Sequence, residues 1–260
     1  MDRDDVVGYS VEAGVATIVL RQPSLTTLGK EALLGAVTSA AEDGAVRAVV
    51  LTGTGRVFCA GQDLDEHAEA LRADPSTAFD TLARHYNPIV ASLASAPKPV
   101  IAAVNGTAAG AGLSLALAAD LRVAAAGARF ATAFTAIGLS FDSGLSVTLA
   151  RAVGSARASE LILLGEPFTA EQGLAWGLVG RVVPAEEVLA EAGRLAARLA
   201  AGPTAAYAAA KAALAAAGPP LAEVLEAERA AQVDLGRSSE HRAAVEAFVE
   251  QRRRRAAGQA

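Results

Sequence analysis

Three stretches of the chain hold residues whose types and spacing could do chemistry. The first is Arg56-Val57-Phe58-Cys59-Ala60-Gly61-Gln62-Asp63-Leu64, which follows the apolar strand Ala48 to Leu51 through Thr52-Gly53-Thr54-Gly55. The second is Ala108-Ala109-Gly110-Ala111-Gly112, which follows the buried strand Val100 to Val104 and a turn at Asn105-Gly106, and opens the apolar helix Leu113 to Ala119. A strand feeding small residues into a helix start leaves backbone N–H groups unpaired, at the positive end of the helix dipole. Side chains this small let a ligand oxygen reach them. Two such loops could each give one N–H to a single oxygen, which is what an enolate or a tetrahedral oxyanion requires. Each loop alone reads equally well as close helix–sheet packing. The third stretch is Ile137-Gly138-Leu139-Ser140-Phe141-Asp142-Ser143-Gly144, a lone carboxylate among apolar residues. Burial beside Phe134, Leu139 and Phe141 would push its pKa up and make it a better base toward carbon. The plainer reading of Asp142 is an N-cap for the helix that follows.

Phe-Cys-Ala-Gly-Gln-Asp-Leu at 58–64, followed by Pro-Lys-Pro-Val-Ile-Ala-Ala-Val-Asn-Gly-Thr-Ala-Ala-Gly-Ala-Gly at 97–112, resembles the crotonase (enoyl-CoA hydratase/isomerase) superfamily. The similarity covers nearly the whole chain. It implies an α/β fold, a spiral of repeated β-β-α units with a C-terminal helical trimerisation region, assembled as a homotrimer or a dimer of trimers. It implies an acyl-CoA thioester as substrate, with coenzyme A carried by the substrate and no separate cofactor. The oxyanion N–H groups would then be those of Ala60 and Ala111, the latter standing where relatives usually carry glycine. Gly61, Gln62, Leu64 and Gly110 would line the site. The loop 60–64 would meet the adenine, and Arg21 and Arg56 the phosphates. Phe248, on the last helix of a neighbouring subunit, would close the site, with Gln251 at a position where relatives carry lysine and Arg252 to Arg255 close by. A run of cations at a helix end is equally well explained by the helix dipole.

The same resemblance exposes a departure. Hydratases of the superfamily use two glutamates, and those positions here are Ser114 and Phe134. Adding water across a double bond needs one group to activate water and one to protonate carbon. Asp142 matches an aspartate found in members that shift double bonds or rearrange ring-derived acyl-CoAs. One base that removes a proton and returns it to a different carbon is an isomerase, and that is the leading expectation. Rivals are a hydratase working through Asp142 or a water network, an acyl-enzyme with Asp142 as nucleophile, and a non-catalytic acyl-CoA binder. Ser114 could touch a ligand, although a serine in a first helical turn more often bonds its own backbone. Asp63 reads as an organiser of its loop, Asp120 as a cap at a helix–strand junction, and Cys59 as packed rather than nucleophilic. His67 and His85 read as solvated helix residues, the alternative being that one lines the acyl pocket.

These groups need a framework. Val6 to Glu12 and Val15 to Leu20 read as a hairpin, with further strands at Arg47 to Leu51, Val100 to Val104, Leu121 to Ala125, Ala128 to Thr132 and Val179 to Val183. Helices are expected over Lys30 to Glu42, Leu64 to Leu71, Ser76 to Ser95, Ser143 to Val153 and Ser155 to Leu164, with a short one after Thr169. Beyond Pro184 the pattern is helical throughout. That divides the chain into residues 1–184, a core with the thioester site, and 185–260, a helical region.

Composition sets the outer limits. The chain has 260 residues, 52% hydrophobic and 20% charged, enough for one large α/β domain with a sizeable core. A net charge of −5 gives no reason to expect nucleic acid. The single cysteine excludes an intrachain disulfide, and the three histidines, far apart in sequence, form no metal-ligand motif. Met1-Asp2-Arg3-Asp4-Asp5 lacks the basic start and apolar core of a secretion signal, and no apolar run is long enough to span a bilayer. A cytoplasmic protein without membrane partners is the expectation.

Overall fold

The structure, a computed structural model, describes residues 3–257. Met1 and Asp2 of the acidic opening lie outside the described residues. The strands are β1 (Val7–Glu12), β2 (Val15–Leu20), β3 (Ala48–Gly53), β4 (Val57–Cys59), β5 (Val100–Val104), β6 (Thr107–Ala109), β7 (Leu121–Ala125), β8 (Arg129–Ala131), β9 (Phe168–Thr169) and β10 (Arg181–Val183). The helices are α1 (Arg3–Val6), α2 (Thr27–Glu42), α3 (Leu64–Ala73), α4 (Asn87–Ser95), α5 (Ala111–Ala118), α6 (Leu145–Val153), α7 (Ser155–Leu164), α8 (Ala170–Ala175), α9 (Val188–Ala200), α10 (Thr204–Ala216), α11 (Leu221–Gly236) and α12 (Ser239–Ala257). None of the described helices is long and apolar enough to cross a membrane.

Two sheets share the work. A larger one runs in the order β1-β2-β3-β5-β7-β10 and a smaller one in the order β4-β6-β8-β9. The β1–β2 pair is antiparallel, and β2, β3, β5, β7 and β10 are parallel. Each successive pair, β3/β4, β5/β6 and β7/β8, places its first strand in the larger sheet and its second in the smaller one. That repetition is the β-β-α spiral. Strands buried on both faces must be apolar throughout, and β5 (Val-Ile-Ala-Ala-Val) is buried at every position.

The strands of the smaller sheet are only two or three residues long, which is why the sequence of all but β8 reads as loop. Their arrangement nevertheless fixes the site. β4, β6 and β8 are parallel neighbours, so the segments leaving their C-terminal ends (from Ala60, Gly110 and Thr132) emerge side by side.

One expected helix is not formed as read. Ser76 does not cap a helix running to Ser95; Asp74 Oδ1 accepts from the Ser76 N–H and hydroxyl, closing a turn, and regular α4 starts only at Asn87. After β10 every element is helical, yet the core does not stop at Pro184. Val188, Ala192 and Ala196 of α9, Leu225 of α11, and Val245 and Val249 of α12 are buried in the same continuous apolar cluster as the strands.

Candidate active site

The loop after β4 is held by backbone pairing with the segment before α2. The Ala60 N–H donates to the Pro23 carbonyl at 2.7 Å, Leu25 N–H to the Gly61 carbonyl at 2.7 Å, and Asp63 N–H to the Leu25 carbonyl at 3.1 Å. This corrects the expectation for Ala60, whose N–H is already used. Gly61 N–H faces the Cys59 sulfur. Along an extended segment, successive N–H groups point to opposite sides. Residues 61 and 63 face Leu25, so the Gln62 N–H faces the other way, and it has no hydrogen-bond partner among the described residues.

Ala111 is the first residue of α5, where an N–H has no partner inside the helix. Its N–H is likewise unpaired among the described residues. The two loops are in direct contact. A Cβ on Gly61, whose φ is +87°, would lie 3.2 Å from the Ala111 nitrogen, and a Cβ on Gly112 would lie 2.0 Å from the Cys59 carbonyl oxygen. Glycine at both positions lets the segments approach closely enough for two unpaired amides to share one space.

That space is a cavity of about 880 Å³. Gln62, Leu64, Gly110, Ala111, Phe134 and Asp142 are among its lining residues, and Asp142 is the only carboxylate there among the described residues. The remainder of the wall is largely apolar, with Phe79, Leu82, Tyr86, Ile137 and Phe248. Asp142 is half-buried. Loss of water around it pushes its pKa from the ordinary carboxylate value up to about 6, and the nearby Glu228 charge adds to the rise. Two donors oppose that: the Ser143 hydroxyl to Oδ1 at 2.7 Å and Gln232 Nε2 to Oδ2 at 3.1 Å.

The N-cap reading of Asp142 does not hold. Its side chain bonds no N–H of α6; the buried Glu228 of α11 does so instead, accepting from Gly144 at 2.7 Å and Ser146 at 2.9 Å. Among the described residues, two of the three non-glycine residues with positive φ, Ala133 and Ser143, bracket this loop. Backbone held in such sparsely populated regions gathers at functional sites.

Other expectations fare differently. Ser114 is fully buried and lines no part of the cavity; its hydroxyl reaches back to the Gly110 carbonyl (3.4 Å) and across to the Asp142 carbonyl (3.3 Å). Arg21 and Arg56 are exposed outside the cavity lining, the Arg21 guanidinium packed over Gly8. Phe248 and Gln251 of α12 line the cavity of their own chain. Arg252 pairs with Asp65, and Arg254 pairs with Glu250 at 2.7 Å.

Asp63 caps α3 by accepting from Glu66 N–H at 3.1 Å, and Asp120 accepts from Val100 N–H at 2.7 Å, as their positions suggested. Cys59 is buried, and desolvation pushes its thiol up to about 12, so it is no nucleophile.

The partners that hold two of the site residues, Lys30 and Tyr86 for Gln62 and His241 for His67, carried no signal in the sequence. Gln62 Oε1 accepts from Lys30 Nζ at 3.0 Å and from the Tyr86 hydroxyl at 2.9 Å, which pins the side chain beside the unpaired amide. His67 is buried and lines the cavity, correcting its reading as a solvated residue. Its Nε2 lies 3.0 Å from Nε2 of buried His241 on α12. His241 Nδ1 lies 2.5 Å from the Ile137 carbonyl, which can only accept. Nδ1 therefore carries the hydrogen, Nε2 of neutral His241 is the acceptor, and His67 is the donor. Desolvation first, and then the neighbouring His241 and Lys30, press the His67 pKa down to about 4.

The family model described as enoyl-CoA hydratase/isomerase matches residues 10–258. The chain belongs to the enoyl-CoA hydratase/isomerase family. It is 42% identical over 250 residues to a Rhodobacter capsulatus protein named "Probable enoyl-CoA hydratase", covering 95% of each chain. It is 41% identical over 248 residues to the 1,2-epoxyphenylacetyl-CoA isomerase of Escherichia coli, covering 93% of this chain and 94% of that one. Among solved structures, an enoyl-CoA hydratase from Mycobacterium avium subsp. paratuberculosis superposes with a TM-score of 0.84 at 36% identity, over 95% of this chain and 96% of that one. The crotonase-type fold and family membership thus stand together. Relatives named for hydration and for isomerisation flank this family member about equally, so the choice of reaction rests on its own side chains.

Proposed function

We propose that this family member is an acyl-CoA isomerase that moves a double bond or rearranges an acyl group through a thioester enolate. In this reading the thioester oxygen binds the Gln62 and Ala111 N–H groups. Asp142 removes a proton from the carbon beside the carbonyl side of the acyl chain and returns it elsewhere on the same chain. Two amides aimed at the oxygen stabilise the negative charge that develops there. A carboxyl titrating near 6 is matched to a proton that leaves and comes back near neutral pH. Coenzyme A enters as part of the substrate, along the loop from Ala60 to Leu64, with Arg21 and Arg56 as its phosphate partners outside the cavity. A homotrimer or dimer of trimers in the cytoplasm belongs to the same proposal.

The observation that carries the reading is the single carboxylate in the cavity wall. The two positions of the hydratase glutamates hold a serine turned into its own backbone and a phenylalanine. One carboxylate can shuttle one proton. It cannot both activate water and supply a second proton to carbon.

The test is direct. A trans-3-hexenoyl-CoA probe is expected to convert to its 2-enoyl isomer, and Asp142→Asn to lose that activity. The relative named as a hydratase favours the second reading, in which Asp142 or a water network hydrates the double bond. Hydration of crotonyl-CoA at rates above the isomerisation would establish it and remove the isomerase. Turnover unchanged in Asp142→Asn would remove Asp142 as the base, and no turnover of either probe by the unaltered protein would leave only acyl-CoA binding.

A further inference from the structure

Asp142 lies on a loop that leaves the spiral, and the groups that hold it come from α11, far along the chain. Gln232 and Glu228 are four residues apart on that helix, so both project from one face. Both are buried, Gln232 completely. Gln232 Oε1 accepts from Ser140 N–H at 2.9 Å, and its Nε2 donates to Asp142 Oδ2 at 3.1 Å. The Ser140 contact also decides which way the amide points. A backbone N–H can only donate, so the oxygen must face it and the NH₂ must face the carboxylate. Glu228 takes the next turn of the loop, accepting from Gly144 and Ser146 N–H. Between these two clamps lie Ser143 and Gly144, at φ of +58° and +77°. A left-handed serine is disfavoured on its own and persists only where its surroundings over-determine it.

We propose that Gln232 and Glu228 are positioning residues for the reaction, a two-point clamp by which the C-terminal helices hold the Asp142 carboxylate in its working orientation. The inference rests on the reading of Asp142 as the base. It gives the helical region a part in the acid–base step of its own chain. The clamp's two arms act in opposite senses on Asp142. The Gln232 amide donates to the carboxylate and favours its ionised form, while the Glu228 charge disfavours it. The titratable groups facing Asp142 are Glu228 from α11 and Tyr86 from the turn before α4, which stays neutral because burial raises its pKa well above the usual phenol value.

Gln232→Leu and Glu228→Gln in the full-length chain separate this role from a merely structural one. The readouts are the Asp142 carboxyl titration, followed by carbon-13 NMR, and the pH dependence of kcat with trans-3-hexenoyl-CoA. Gln232→Leu is expected to raise the Asp142 midpoint by about one pH unit, the worth of a hydrogen bond to a charged group. It should also lower kcat on the order of 10²-fold, as a misplaced group does, with a much smaller change in KM. Glu228→Gln, which keeps an acceptor for the helix amides, is expected to lower the midpoint. Midpoints that stay at the wild-type value in both variants, or move the same way, overturn the clamp. Because the NMR titration needs no turnover, that failure is distinguishable from failure of the base assignment, which Asp142→Asn tests alone. Should either variant fail to fold, Gln232→Met, which is close in volume, adds no charge and loses the amide donor, carries the same test, with a raised Asp142 midpoint expected.

Discussion

The amide half of the site and the carboxylate half are built by opposite means. Gln62 and Ala111 present main-chain N–H groups, and what aims them is nearby in the topology: parallel pairing of β4 with β6, the bridge to Leu25, and two glycines that let the loops touch. Asp142 presents a side chain on an irregular loop. What aims it comes from residues 228 and 232, after five further helices have been laid down. The difference teaches where each half is vulnerable. Backbone donors held by a sheet tolerate side-chain change, whereas a carboxylate held by remote side chains depends on each of them.

The comparison is broken most severely by removing the carboxylate. Asp142→Asn is expected to lose about 10²- to 10⁴-fold in isomerase turnover, the range for a general base. The same change should raise stability at pH 7.5. Folding raises the Asp142 pKa to about 6, so the folded state holds that proton more tightly than the unfolded one. The contribution is complete below the ordinary carboxylate pKa and is lost as pH rises through 6. Asparagine carries no charge to desolvate and should gain on the order of 1–3 kcal/mol at pH 7.5 and nothing at pH 3.5. Thermal unfolding at the two pH values checks this; a destabilised variant at pH 7.5 would mean the carboxylate is there for structure.

The other half is tested by removing one N–H, whose place a proline ring methylene takes. Ala111→Pro falls at the first residue of α5, where proline is tolerated because that N–H has no helical partner. Turnover should drop about 10²- to 10³-fold, as for loss of one oxyanion donor, with helical circular dichroism unchanged. Full activity would show that the Ala111 amide is not used.

A third measurement concerns the contact between α3, which follows the amide loop, and α12. The His67–His241 pair is built from two neutral rings, and His67 is depressed to about 4. The unfolded chain therefore binds protons that the folded one refuses, and stability present above about pH 6.5 is lost as pH falls toward 4. The expected loss is on the order of 1–3 kcal/mol. It is best read from urea midpoints in the Asp142→Asn background, where the opposite-signed carboxylate contribution is absent. A flat profile there would mean the pair is not a neutral hydrogen bond.

The smallest effect is expected at the cavity mouth. Phe248 is 43% exposed and touches the cavity from its own chain. Phe248→Ala should raise KM by roughly two- to tenfold, the worth of a partly buried ring, with kcat unchanged. No change in KM for the acyl-CoA probe would mean that Phe248 does not contact the substrate.

How much was legible depended on the range of the interaction. The hairpin, the apolar strands β3 and β5, and the helices after Pro184 follow from local periodicity, and Asp63 was readable as an organiser of its loop and Asp120 as a cap at a helix–strand junction. The loop at 60–62 was legible as a donor site, but the choice of amide was not: Ala60 loses its N–H to Pro23, a residue far away in sequence, and the free one moves to Gln62. His67 read as solvated because nothing near it in sequence announces His241. The supposed cap at Asp142 failed for the same reason, since Glu228 takes that role.

By itself, then, the sequence determined the apolar strands, the C-terminal helices, the small-residue loops and a lone aspartate among apolar residues, while the spiral and the two missing glutamates came from its resemblance to the superfamily. Each of the former is a matter of residue type and short-range pattern: apolar alternation, glycine where chains touch, a carboxyl or none. Only the tertiary structure decided which amides stay free, that α12 covers its own cavity, and that α11 grips the Asp142 loop. Hydrogen bonds between residues dozens to more than a hundred positions apart set those outcomes, and burial multiplies their effect, because a desolvated donor or carboxylate must take whichever partner the fold brings to it.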